Sequence, residues 1–355
     1  MAVRRFFAVR KRSRHQNTWP IDASAGDVPA GWSGWPNNKQ FAFLLSHDVE
    51  TQLGYDKLDQ LLRIEETLGF RSVINFIPEG EYRVSENRIQ ELKQRGFEVG
   101  VHGLHHDGKL YNSKSVFEGR ATRINRYLKN WDATGFRSPL MHRNLDWIHN
   151  LNITYDSSTF DTDPFEPQPD GVSTVFPFFV PKPEPQTTKS EIDNNSDDFR
   201  PCVTTNQGED RSQITNRAEQ GAPNSNRYSS NSNKNLNSLQ STSYNPREGY
   251  VELPYTLPQD STLFLLLREQ DNRIWKEKTE WIANHGGMTF LNVHPDYIDF
   301  SGNGSPSEYQ ASFYEDFLIH IKETHKDQYW HTTPSELAKY FAQSQEPKHL
   351  SEGFC

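Results

Sequence analysis

The chain has 355 residues, 38 Lys and Arg against 47 Asp and Glu, a net charge of −9 and 34% hydrophobic content. That length allows one large domain or two ordinary ones, and the acidic balance gives no support to nucleic-acid binding. The longest apolar runs, such as residues 263–267, fall far short of the ~20 residues of a membrane helix. Two cysteines, Cys202 and Cys355, are too few for a zinc ribbon and badly placed for a structural disulfide.

Residues 1–38 read as an extension: a basic run with Arg4, Arg5, Arg10, Lys11, Arg12 and Arg14, then the Gly/Pro/Trp-rich GWSGWPNN. The apolar part, Phe6 to Val9, is shorter than the about 7–15 residues of a secretory core, so a cytoplasmic protein is expected. The basic run reads as a solvated tail, because contact with an anionic membrane surface asks for tighter clustering.

From Lys39 the chain alternates. FAFLLS (41–46) is a buried strand. LDQLLRIEETLG (58–69) carries Leu58, Leu61, Leu62, Glu65 and Leu68 at helical spacing and stops on Gly69. SVINFI (72–77) is a strand, NRIQELKQRG (87–96) a helix, FEVGVH (97–102) a strand and FEGRATRINRYLKNW (117–131) a helix. GFRSP (135–139) ends a strand and LDWIHNL (145–151) is a short helix. Order resumes at GYVELPYTL (249–257), followed by a helix at 274–287, the strand MTFLNVH (288–294) and a helix near 313–326. Strands and helices in turn imply βα units, hence a parallel sheet or barrel with helices outside.

Between these halves, residues 183–248 hold 26 Asn, Ser and Gln and only 11 apolar residues in 66 positions. That is too little apolar surface to offset ordering entropy, so the segment reads as a disordered insertion in one domain spanning 39–340. Residues 341–355 are left as a C-terminal tail.

Chemistry gathers at the strand ends. In Ser46-His47-Asp48-Val49-Glu50, strand alternation sends Asp48 and Glu50 to one side and His47 and Val49 to the other. The plain alternative is a helix N-cap followed by a solvated Glu. After the next apolar strand but one comes His102-Gly103-Leu104-His105-His106-Asp107. One helical turn would put His102 and His106 on one face, a spacing that suits a divalent transition metal. Arg137 and His294 close two further strands, and four strand ends bearing such residues are read together.

This order of motifs resembles the polysaccharide deacetylase family, the NodB-homology domain of carbohydrate esterase family four, from about Phe41 to Tyr297. The second motif of that family is similar to His102-Gly103-Leu104-His105-His106, the third to Arg137-Ser138-Pro139 and the fifth to Leu291-Asn292-Val293-His294. The fourth is similar to Tyr155-Asp156-Ser157-Ser158 with Phe160-Asp161-Thr162-Asp163-Pro164. The resemblance implies an α/β fold, a distorted (β/α) barrel of the NodB-homology type. It implies a hydrolase that removes acetyl groups, N-acetyl or O-acetyl, from an amino-sugar-containing glycan or its precursor in surface polysaccharide biosynthesis. A divalent metal, Zn2+ first, would be held by Glu50, His102 and His106. Asp48 would be the base, Arg137 would fix it, and His294 would be the acid, oriented by Asp161 or Asp163.

The family's adjacent Asp-Asp pair is here Asp48-Val49-Glu50, so Asp48 and Glu50 can exchange the roles of base and ligand. The aromatic residue expected after Arg-x-Pro is replaced by Leu140-Met141. Two other readings stay open: a metal hydrolase of a non-sugar amide or ureide, and a non-catalytic carbohydrate-binding protein. The partner expected is an N-acetylated carbohydrate, with no nucleic acid and no integral membrane segment.

Overall fold

The computed structural model describes residues 2–183 and 248–344. The 183–248 insertion, apart from its two end residues, lies outside the described residues, as do most of the 341–355 tail, Cys202 and Cys355.

Helix α1 (Ala2–Arg14) leads to β1 (Phe41–Val49) and α2 (Gln52–Leu68). The alternation continues through β2 (Val73–Phe76), α3 (Glu86–Gln94), β3 (Glu98–His102), α4 (Lys114–Trp131), β4 (Gly135–Arg137), α5 (Leu145–Ile148) and β5 (Tyr155–Asp156). β6 (Phe178–Pro181) and β7 (Gly249–Glu252) follow, then α6 (Arg273–His285), β8 (Met288–Val293), β9 (Ile298–Asp299) and β10 (Tyr309–Gln310). Last come α7 (Ala311–Thr324), β11 (Tyr329–His331) and α8 (Pro334–Ser344). Side chains set the helix ends: Thr51, Ser85 and Ser113 accept from the backbone at the starts of α2, α3 and α4, and Gly69 closes α2 at φ 87°.

β1 is the hub. One edge pairs with β8, Ala42 to His47 against Met288 to Val293. The other edge is shared by β11, at Phe41 to Phe43, and β2, at Ser46 to Val49. From β2 the parallel order runs β3, β4, β5, β7, and β6 pairs antiparallel with β7. Beyond β7 the chain returns to β8, where Thr256 N and Leu257 N donate to the Phe290 carbonyl at 3.0 and 3.2 Å. The mixed sheet is thereby a curled, distorted (β/α) barrel with helices outside.

Every residue of β1 is buried, as its unbroken apolar run demands of a strand covered on both faces. Odd positions Phe41, Phe43 and Leu45 pack outward with Trp275 of α6 and Phe317 of α7. Even positions Ala42 and Leu44 point inward, where they meet Met288, Phe290, Tyr155 and Val251, with Leu337, Ala338 and Phe341 of α8 beneath. The same inward column continues upward as Ser46, Asp48 and Glu50. A polar mouth therefore stands on an apolar floor.

The basic run at the start of the chain is not the solvated tail its composition implies. It forms α1, with Ala8 buried beside Trp19 in the main apolar cluster and Arg12 Nη1 2.5 Å from Glu269 Oε1. Trp19, Ala25 and Trp35 are buried too, since a barrel whose outer helices leave gaps takes apolar filling from any nearby chain. No helix among the described residues is long and apolar enough to cross a membrane.

Candidate active site

The inward columns of five strands converge at the mouth. From β1 comes Asp48, with Glu50 just past the strand. From β2 comes Asn75, from β3 His102, from β4 Arg137, and from β8 Asn292 and His294. Asp48 is buried, and each of its oxygens accepts an amide N–H: Oδ1 from Asn75 and Oδ2 from Asn292, both at 2.9 Å. Arg137 Nη1 lies 3.6 Å from Oδ2. Burial opposes ionisation of Asp48, yet His102, Arg137, His294 and the Asn75 amide together hold it well below the usual carboxylate range.

His102 Nδ1 is 3.1 Å from the Arg137 carbonyl. A carbonyl only accepts, so Nδ1 carries the proton and Nε2 is left with its lone pair exposed to the site. That buried Nε2 has no hydrogen-bond partner. Burial is the largest influence on His102 and lowers it to about 4, so the ring is neutral at neutral pH. His106 Nε2 sits 3.1 Å from Glu50 Oε1, an ion pair when the imidazole is protonated. Despite its burial, the Glu50 and Asp48 carboxylates raise His106 above an ordinary imidazole. Glu50 is opposed by burial but drawn down to about 2 by His106, His294 and the Tyr297 hydroxyl, which donates to Oε2 at 2.6 Å. Ligand atoms of Glu50, His102 and His106 all lie within 4.8 Å of one another. An unpartnered imidazole nitrogen on His102, a second on His106 paired only with Glu50, and the Glu50 carboxylate oxygen make a donor set that fits zinc or a similar divalent ion.

No helical turn joins the two histidines. His102 ends β3, and the chain then bends through Gly103 at φ 63°, where a Cβ would lie 2.4 Å from Pro139 Cγ. Only glycine allows so close an approach to the 137–139 segment at that φ. The bend, not 3.6-residue periodicity, brings the rings to 5.5 Å between centroids.

Nor is Asp161 the partner of His294. Asp161 is buried elsewhere, 2.7 Å from Lys278 Nζ, and burial raises it to about 6 against the pull of that ammonium. Asp163 meets the Tyr255 hydroxyl and Asp156 meets Ser158. The carboxylate that grips His294 is Asp260: Oδ1 lies 2.7 Å from Nδ1, and Oδ2 accepts the His294 backbone N–H at 2.8 Å and the Tyr309 hydroxyl at 3.1 Å. Burial works against the imidazolium, but Asp260, then Glu50 and Asp48, push His294 up to about 10. His294 Nε2 faces the mouth, 4.0 Å from Asp48 and 3.8 Å from Glu50. Arg137 is completely buried, bound to Ser157 Oγ through Nε at 3.1 Å and stacked 5.5 Å from the Phe290 ring centroid.

Other residues here escape a reading of motifs. Asn75 and Asn292 are polar positions inside apolar strands, a pattern that signals a buried partner. Asp296 fixes the turn after β1, accepting from Glu50 N at 3.1 Å and Thr51 N at 2.9 Å, and only a glycine at position 54 leaves room for it. Asp48, Glu50, His102 and His294 line a cavity of about 160 Å³, walled also by Leu140, Met141, Glu166 and Tyr297. Glu166 accepts there from Tyr255 Oη and Gln259 Nε2, both at 2.8 Å. A wider groove of about 690 Å³ beside Lys93, Phe97 and Lys339 holds no comparable cluster.

No family model and no curated protein matches the sequence. Among solved structures, a protein described as a candidate polysaccharide deacetylase from Mycobacterium smegmatis superposes with a TM-score of 0.54 and 14% identity, over 92% of this chain and 99% of that one. A candidate polysaccharide deacetylase from Pseudomonas aeruginosa PAO1 gives 0.55 and 11%, over 92% and 99%. The chain has the polysaccharide deacetylase fold. Puue allantoinase is built on the same frame, with a TM-score of 0.56 and 11% identity over 92% of this chain and 98% of that one. In this deacetylase fold the cluster stands at the carboxyl ends of the strands, where parallel barrels carry their chemistry.

Proposed function

We propose that the chain is a metal-dependent hydrolase of carbon–nitrogen bonds that removes acetyl groups from an amino-sugar-containing glycan or glycan precursor. The observation that carries this reading is the convergence of Glu50, His102 and His106, with the buried His102 Nε2 unpartnered, beside an ionised Asp48 and a protonated His294. Glu50, His102 and His106 would hold the ion. When bound, a divalent metal supplies Lewis acidity to the amide carbonyl and makes water a better nucleophile at neutral pH.

The protein's own groups manage the protons. Asp48, fixed from both sides by Asn75 and Asn292, accepts a proton from the attacking water. As the C–N bond breaks, the departing nitrogen takes a proton from His294 Nε2, and acetate and free amine result. Asp260 keeps Nδ1 protonated and the ring aimed at the mouth. Arg137 holds the Asp48 carboxylate ionised through its fixed positive charge. Glu50 is assigned as ligand rather than base because its carboxylate oxygen lies with the His102 and His106 nitrogens inside one 4.8 Å cluster, which Asp48 does not join.

A second reading, hydrolysis of a small non-sugar amide or ureide, is favoured by the cavity. Its volume of about 160 Å³ suits a small molecule better than a polymer, and the Glu166 carboxyl on its wall can accept N–H groups. The test has two parts. Metal analysis after incubation with zinc should give one ion per chain, lost on replacing His102 and His106 by Ala; full retention in the double variant would sink the assignment. Release of acetate from N-acetylhexosamines and their oligomers supports the deacetylase, while turnover of ureides without it supports the second reading.

A further inference from the structure

Helix α1 stands apart in charge and in exposure. It holds six of the chain's 38 basic residues within thirteen positions and none of the 47 acids, so an acidic protein presents one wholly basic helix. The helix is fixed to the body by one side. Ala8 is buried, and the Arg12 guanidinium reaches Glu269 and lies 5.5 Å from the Trp19 ring centroid.

The opposite side is aromatic and bare. Phe6 is 58% and Phe7 63% exposed, two of the six large apolar side chains that the described residues leave exposed. At 100° per residue, Phe6, Arg10 and Arg14 fall on the side away from Ala8 and Arg12, with Phe7 adjoining. The Phe6 and Phe7 rings meet edge to face at 5.8 Å, and the Arg10 guanidinium lies 5.7 Å over Phe6. An ordinary surface helix buries its largest apolar residues and shows its charges. This one buries an alanine and shows two phenylalanines among arginines, an arrangement that serves an interface part oil and part anion.

We propose that α1 docks the protein on an anionic lipid bilayer, with Phe6 and Phe7 entering the boundary between headgroups and acyl chains. Arg10 and Arg14, both exposed, then contact the anionic headgroups. A nucleic acid would answer the arginines but leave the two phenylalanine rings unused, so the bilayer is the partner that matches both halves of the face.

The full-length protein is sedimented with vesicles of equal parts phosphatidylcholine and phosphatidylglycerol, and with vesicles of phosphatidylcholine alone. Binding is expected on the anionic vesicles, at least about tenfold weaker on the neutral ones and falling as salt is raised. Phe6→Ser with Phe7→Ser should weaken it about tenfold, Arg10→Glu with Arg14→Glu by a similar factor, and Phe6→Leu with Phe7→Leu should retain it. Because these side chains are exposed, melting temperatures should stay within a few degrees of the parent. Absence of binding to the anionic vesicles overturns the proposal. So does binding that ignores the Phe→Ser changes and is matched on heparin or RNA, which would make α1 a polyanion site.

Discussion

The lower and upper halves of the barrel interior are built by the same strands and differ in the side chains carried by one set of alternating positions. Below, Ala42, Leu44, Met288 and Phe290 interlock with α8 and need only volume and shape. Above, Ser46, Asp48, Asn292 and His294 are equally buried, and each is another's hydrogen-bond partner or is held by one. A buried apolar residue can be exchanged for another of similar volume at small cost. A buried polar one cannot, because its loss leaves a neighbour unsatisfied in a low-dielectric setting. The floor therefore holds the fold and the mouth holds the chemistry, and substitutions should separate the two.

Asp48→Asn keeps size and shape but removes the basic oxygen. Turnover should fall by about 10²–10⁴-fold while metal is retained. Stability should be lowered by about 1 kcal/mol, because the new NH2 group meets the amide donor of Asn75 or Asn292. Its counterpart at the floor, Leu44→Ala, should lower stability by about 2–5 kcal/mol and leave the metal stoichiometry of the folded protein intact. If denaturant melts show the two variants equally destabilised, the division between floor and mouth is wrong.

Asp260→Asn tests the grip on His294. With the carboxylate gone, the alkaline limb of the kcat/KM profile should move to lower pH, toward the ordinary imidazole value of 6.5, and activity on the alkaline side should drop by about tenfold or more. An unmoved limb would remove His294 as the acid. Asp161→Asn, at the Lys278 pair, should leave that limb in place.

His294 also makes stability depend on pH in the metal-free protein. Its folded value, about 10, lies above the unfolded 6.5, so its contribution is fully present below pH 6.5 and is lost as pH rises through about 10. The stability gap between the parent and His294→Asn should therefore be widest in acid and narrow on the alkaline side. The smallest effect is expected at Thr51, which caps α2: Thr51→Ala should cost about 1 kcal/mol, with a modest rise in KM as the Glu50–Asp296 contact loosens.

What the chain reveals on its own follows the same division. The β1, β3, β4 and β8 ends were legible because an apolar run stops abruptly at an acid, a histidine or an arginine, and alternation assigns Asp48 and Glu50 to one side. Asp260 was not, because it stands after Pro258 and Gln259 at the start of a π-helical turn (Ser261–Leu267), outside any periodic pattern. Its approach to His294 is fixed by tertiary packing across 34 residues of sequence. Strand β11 is three residues long and α1 mixes Phe with Arg on one face, so neither gives the periodicity from which an element and its buried side are read.

The β6–β7 hairpin has a bearing on how the gene could be edited. Pro181 pairs with Gly249, and Lys182 N donates to the Glu248 carbonyl at 2.9 Å, so the backbone leaves the barrel and returns to it at neighbouring points. The strand order, register and mouth described above are built from residues on either side of those points. Closing a loop of four residues rather than 64 lowers the loop-closure entropy by about 2 kcal/mol, at about 0.6 kcal/mol per doubling. The hairpin is thus a splice point, open to excision or to a reporter domain grafted in its place, and a natural position for new chain ends in a circular permutant.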